Sequence, residues 1–124
     1  MQKIAIIEDD TAINMLYKSK LALSGYDVQV AYDGSSGLKL IKDFQPELAL
    51  VDIRMPRMNG DEMLQRVRQE EWGEDLKVII LTNLSKDEAP SMLRFLNIDR
   101  YVIKAHYTPT QVLAIVREVL GQTE

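Results

Sequence analysis

Leu48-Ala49-Leu50-Val51-Asp52 is four apolar residues followed at once by an acid. A strand with one wet face alternates apolar and polar side chains. A run that is apolar at every position has both faces covered, as in a parallel sheet between layers of helices. Two further runs have the same form. Ile4-Ala5-Ile6-Ile7 ends in Glu8-Asp9-Asp10, and Val78-Ile79-Ile80-Leu81 ends in Thr82. Tyr101-Val102-Ile103 is the last strand and ends in Lys104. Val28-Gln29-Val30 alternates, which suits a sheet edge.

Helix-period segments separate these strands. Ile13, Leu16, Tyr17 and Leu21 share a face of a first helix, and Gly25 stops it. Gly34 to Phe44 is a weaker helix with Leu38 and Ile41 inward, closed by Pro46. Asp61 to Glu71 buries Met63, Leu64 and Val67. Ser85-Lys86-Asp87-Glu88 has the form of a capping box and predicts a helix running to about Leu96. Thr108-Pro109-Thr110-Gln111 is a second capping box, with proline at the first helical position. Val112, Leu113, Val116, Val119 and Leu120 give the final helix its apolar face. Five βα units imply an α/β fold, a doubly wound parallel sheet of order 2-1-3-4-5.

A chain of 124 residues fits one domain over 1–124, and Gly121-Gln122-Thr123-Glu124 is too short to be an effector domain. It contains no cysteine, so thiolate metal sites and disulfides are excluded. The net charge of −4 argues against direct nucleic-acid binding, which wants a basic face. No apolar run approaches the ~20 residues of a membrane span, and the amino terminus lacks a signal-peptide pattern. The expected location is cytoplasmic, without membrane attachment.

In such sheets ligands bind at the carboxyl ends of the strands, where the strand order reverses. Glu8, Asp9 and Asp10 follow the first strand and Asp52 the third, so acids converge there. Crowded carboxylates resist ionisation, and a hard divalent cation such as Mg²⁺ removes that cost. Thr82 and Lys104 arrive at the same rim. An ammonium and a metal together can neutralise a transferring phosphoryl group, and a carboxylate can accept it as an aspartyl-phosphate. Taken singly, each residue has an ordinary role: Asp10 or Thr11 as a helix cap, Thr82 in a turn, Lys104 in a casual ion pair. Their coincidence on one rim carries the functional reading.

At this point the chain resembles, along essentially its whole length, the response-regulator receiver family of two-component signalling. The likeness rests on Ile6-Ile7-Glu8-Asp9-Asp10, on Leu50-Val51-Asp52-Ile53-Arg54-Met55-Pro56-Arg57-Met58-Asn59-Gly60, on Leu81-Thr82 and on Tyr101-Val102-Ile103-Lys104. The resemblance implies a flavodoxin-like (βα)5 fold and a phosphorelay role, with Asp52 as phosphoacceptor. It implies that Asp9 and Asp52 bind Mg²⁺, with Glu8 acting mainly through water and the Arg54 backbone carbonyl as a further ligand. Lys104 would pair with Asp52 and then with the phosphoryl group, Thr82 would hydrogen-bond it, and Tyr101 would be the rotating aromatic of the switch. The output face would be the fourth helix, fifth strand and fifth helix, including Arg94, Phe95 and Tyr101. Expected partners are a sensor histidine kinase or phosphotransfer protein, a downstream effector, and a second copy in a homodimer. The chain would not be an enzyme beyond its own phosphorylation and dephosphorylation.

Two positions depart from the family pattern. Asn83 stands where Ala or Gly is common, and Ala105 where Pro is common, usually after a cis bond. Either the Lys104–Ala105 bond is trans and the loop differs, or strain is held there. Arg54 and Leu84 lie where the lifetime of the phosphoryl group is tuned, and Arg54 is expected to shield it from water. His106 reads as a solvated loop residue and Trp72 as a packing residue remote from the site. The rivals are a haloacid-dehalogenase-type phosphatase, disfavoured by Arg54 two residues after Asp52, and a flavodoxin-like cofactor binder, disfavoured by acids where a phosphate cradle belongs. The alternative within the family is a pseudo-receiver, an interaction module that works without phosphorylation.

Overall fold

The computed structural model describes residues 2–122. Its sheet has five parallel strands, β1 (Lys3–Ile7), β2 (Asp27–Ala31), β3 (Leu48–Val51), β4 (Lys77–Thr82) and β5 (Arg100–Ile103), in the order β2-β1-β3-β4-β5. The expected order is therefore the observed one. The helices are α1 (Thr11–Leu23), α2 (Gly34–Phe44), α3 (Gly60–Arg68) and α4 (Pro109–Val119). Alternate residues of the apolar strands serve opposite faces of the sheet. Ala5, Ile7, Ala49, Val51, Val78 and Ile80 meet Ile41 of α2 and Met63, Leu64 and Val67 of α3. Ile4, Ile6, Leu48, Leu50, Ile79 and Leu81 meet Tyr17 and Leu21 of α1 and Val112, Leu113 and Val116 of α4. Each buried Val, Leu, Ile or Met side chain contributes roughly 1.5–3 kcal/mol by leaving water. Val28 and Val30 on β2 are only half-buried and Gln29 is exposed, as an edge strand allows.

Most of the local signals act as read. The Thr108–Gln111 box closes in both directions, with Gln111 N–H donating to Thr108 Oγ1 at 3.2 Å and Thr108 N–H to Gln111 Oε1 at 2.8 Å. Asp10, rather than Thr11, caps α1 through Ile13 N–H at 3.1 Å. Gly25 adopts φ +97°, the left-handed geometry that ends α1.

Two expectations fail. The helix expected from Ser85 to about Leu96 does not form as an α-helix, while the final helix of the (βα)5 pattern is present as α4. The Ser85 box closes in one direction only, Ser85 N–H donating to Glu88 Oε1 at 3.0 Å, and turns follow it. Pro90 comes five residues after Ser85, has no N–H, and would clash with the carbonyl of Lys86 in a continuing α-helix. The chain instead makes a short 3₁₀ segment, Ser91–Phe95, that presses only Leu93 into the core. The second failure is Leu16, which is 52% exposed, while Asn14 takes the inward position beside Tyr17 and Leu21. Spacings of three and four (14, 17, 21) describe that face better than the set containing Leu16.

Candidate phosphoryl and metal site

Strand register builds the site. Ile7 stands opposite Val51, and each strand's next residue extends the ladder: Glu8 N–H donates to Ala31 O at 3.0 Å, and Asp52 N–H to Ile7 O at 3.0 Å. Glu8 and Asp52 therefore leave adjacent strands at one level. Asn14, fully buried, donates from Nδ2 to the carbonyls of Glu8 (3.0 Å) and Ala31 (3.2 Å) and ties the acidic turn to the helix behind it. Nothing in the sequence reading marked Asn14, although a polar residue on an inward helical face was the available signal.

Glu8 and Asp52 are buried and Asp9 is exposed. One carboxylate oxygen from each can be chosen such that all lie within 4.8 Å of one another. The Lys104 ammonium sits between the two buried acids, donating to Asp52 Oδ2 at 2.9 Å and paired with Glu8 Oε1. Asp52 Oδ1 accepts from Ile53 N–H at 2.7 Å, and Glu8 Oε2 from Asp10 N–H at 3.0 Å. Burial pushes the Glu8 carboxyl up to about 7; Lys104 and the Asp10 N–H pull it down, and Asp52 adds to the rise. Burial pulls Lys104 down, but its bonds to Glu8 and Asp52 outweigh this and hold it above the usual lysine range.

An open cleft of about 510 Å³ lies over Asp9 and is lined by Arg54, Asn59, Asp61, Leu84, Glu88 and Pro90 among others. The donors are all hard oxygens, the three acids converge, and the cleft has room for the several waters Mg²⁺ keeps. The residues present therefore fit that ion, with Glu8, Asp9 and Asp52 as the carboxylates and Arg54 beside them.

Thr82 is 2% exposed, and its Oγ1 accepts from Leu84 N–H at 3.4 Å. Tyr101 is half-buried, and its hydroxyl is directed at the carbonyls of Leu84 (2.8 Å) and Ser85 (3.2 Å). The segment after Thr82 is thus fastened at its start by the threonine and farther on by the tyrosine. Among the described residues no peptide bond is cis, so Lys104–Ala105 is trans, and Lys104–His106 forms a 3₁₀ turn. Asn83, Ala105 and His106 are exposed. Trp72 packs half-buried beyond the end of α3, near the amino ends of the strands and away from the acids.

Comparison with known proteins bears on the family and the fold. A family profile described as the response regulator receiver domain matches residues 4–117. The DNA-binding dual master transcriptional regulator RpaA of Synechocystis is 36% identical over 124 residues, which is 100% of this chain and 51% of that protein. Response regulator MprA of Mycobacterium ulcerans is 29% identical, over 98% of this chain and 51% of its own length. The chain thus spans about half the length of the curated relatives it matches. Among solved structures, a CheY-like response regulator receiver domain protein of Methanospirillum hungatei superposes with a TM-score of 0.88 at 30% identity, covering 98% of this chain and 96% of that one. Response regulator TrrA of Thermotoga maritima, in complex with Mg²⁺ and BeF, gives 0.83 at 27%, covering 96% and 99%. Among the described residues no helix is long and apolar enough to cross a membrane.

Proposed function

The chain belongs to the response regulator receiver family, and from that premise we propose that it accepts a phosphoryl group on Asp52 and passes the event to a partner as a change of surface. The observation that carries this reading is the Asp52 carboxylate held against Lys104, with Glu8 and Asp9 converging beside it. Mg²⁺, when bound by Glu8, Asp9, Asp52 and the Arg54 carbonyl, offsets charge on the phosphoryl oxygens. An Asp52 oxygen forms the new P–O bond as the donor's P–N or P–O bond breaks, and the leaving group keeps that electron pair. Lys104 turns from Asp52 towards an equatorial phosphoryl oxygen, and Thr82 donates its hydroxyl to another. The chain so modified is a substrate and a switch, not an enzyme with turnover.

The donor would be a sensor histidine kinase or phosphotransfer protein, and the recipient of the signal an effector. The responding surface would be the one around Ser91–Phe95, β5 and α4, which also suits a homodimer. It carries Phe95 at 75% exposure and a groove of about 620 Å³ bordered by Arg94, Arg100 and Tyr101. Hydrogen exchange with and without Mg²⁺ and beryllium fluoride, a phosphoryl mimic, tests the switch. Exchange is expected to slow over residues 83–97 and 101–107. Unchanged exchange there, with the mimic bound, would leave a receiver without this output and favour the pseudo-receiver alternative.

Arg54 is exposed at the cleft mouth and takes no part in holding Asp52. We infer that its side chain covers an acyl phosphate against water. Arg54→Ala should shorten the half-life of the phosphorylated chain several-fold, followed by intact mass over time after removal of the donor. Equal half-lives would remove this role.

A further inference from the structure

Arg57 adopts φ +67°, a left-handed conformation unfavourable for a residue with a Cβ, so its surroundings must hold it. Those surroundings are the start of α2. Arg57 Nη1 donates to Asp33 Oδ2 at 2.9 Å, while Asp33 Oδ1 caps α2 through Ser36 N–H at 2.7 Å. Next to this pair the loop lies directly on the helix: a Cβ on Gly34 would stand 2.0 Å from the Met58 carbonyl oxygen, so only glycine permits the approach. Within itself the loop is closed by Gly60 N–H to Ile53 O (2.6 Å) and Met55 N–H to Asn59 Oδ1 (3.1 Å). The Asp33 side chain is 8% exposed and that of Arg57 69% exposed. An ion pair half in solvent adds little to stability. What it does is fasten the outer end of a loop whose inner end carries Asp52 and Arg54.

We propose that Asp33 and Arg57 are positioning residues for the metal site, clipping the 53–60 loop to α2 so that the Arg54 carbonyl stands at the rim shared by Asp9 and Asp52. This rests on the receiver reading above. The pair touches neither the metal nor the phosphoryl group, so it acts on Mg²⁺ affinity and not on the chemical step.

Calorimetric titration with MgCl₂ alone, on the full chain, tests this. Arg57→Asn keeps a residue that tolerates the left-handed conformation but cannot reach Asp33, and Asp33→Asn keeps the helix cap but loses the charge. Arg57→Asn is expected to weaken Mg²⁺ binding about fivefold, the scale of one half-exposed ion pair, and Arg57→Lys to recover most of it. Phosphoryl uptake at saturating Mg²⁺ should be unchanged. The double variant should bind Mg²⁺ no more weakly than Arg57→Asn alone, because the two residues act as one unit. Wild-type affinity in Arg57→Asn, or additive losses in the double variant, would overturn the clip while leaving the receiver reading intact. Failure of the wild-type chain to bind Mg²⁺ would overturn both.

Discussion

Lys104→Ala should slow phosphoryl uptake by roughly 10²- to 10³-fold, the usual loss on removing one preorganised donor from a site of developing charge. The ammonium is bonded to Asp52 at 2.9 Å and paired with Glu8, so it is already where the phosphoryl oxygens would arrive. Stability should fall far less. Removing one partner of a buried pair ordinarily costs ~3–5 kcal/mol because a charge is left alone. Glu8 already sits near 7, chiefly through burial, and can shed its charge by taking a proton. Without Lys104 two of the influences that lower it are gone, so its protonation moves to higher pH. Stopped-time phosphorylation with acetyl phosphate and urea unfolding, both at neutral pH, separate the two effects. Uptake at the wild-type rate would show that the lysine is only a structural counter-ion.

Arg68→Ala should have the opposite profile: a loss of about 3 kcal/mol or more in stability, near 10 °C in Tm for a domain of this size, with the chemistry untouched. One guanidinium ends α3 and donates to carbonyls on two separate stretches, 73–76 and 96–97. Nε reaches Leu96 O at 2.9 Å; Nη1 reaches Gly73 O and Leu76 O at 2.8 Å each; Nη2 reaches Asn97 O at 3.1 Å. This one side chain ties the end of α3 to the entry of β4 and to the turn before β5. Asn97 adopts φ +60° at that turn, so the backbone it holds has few other ways to stay in place. Arg68→Lys should recover less than half the loss, because a single ammonium cannot span the fork. A melting temperature for Arg68→Ala within a degree or two of wild type would contradict this, as would loss of Mg²⁺-dependent phosphorylation at low temperature where the variant is folded.

The strand order and the acids at the sheet's rim were legible because both follow from local pattern plus a strong topological rule. Apolar runs name the inner strands, and parallel pairing then sets Glu8 beside Asp52 without further information. The Thr108 box and the Gly25 stop were legible for the same reason, since their partners lie within four residues. The helix expected from Ser85 is absent because a stop signal, Pro90, lies inside the segment that the capping box opens. Asn14 was missed because its hydrogen bonds go to Glu8 and Ala31, on two different strands. Arg68 and the Asp33–Arg57 pair were missed because their partners are far along the chain, up to 29 residues for Arg68 and 24 for Arg57. A lone charged residue carries no mark of the carbonyl or carboxylate it will meet. The non-proline Lys104–Ala105 bond was left open between two geometries, and the structure has it trans.

Intact mass after incubation with acetyl phosphate, read for the wild-type chain with Mg²⁺, the same chain with chelator, and Asp52→Asn with Mg²⁺, tests the phosphoacceptor role most directly. One added phosphoryl group is expected in the first sample and none in the other two. An equal gain in Asp52→Asn, or no gain in the wild-type chain with Mg²⁺, would contradict the assignment of Asp52 as the acceptor.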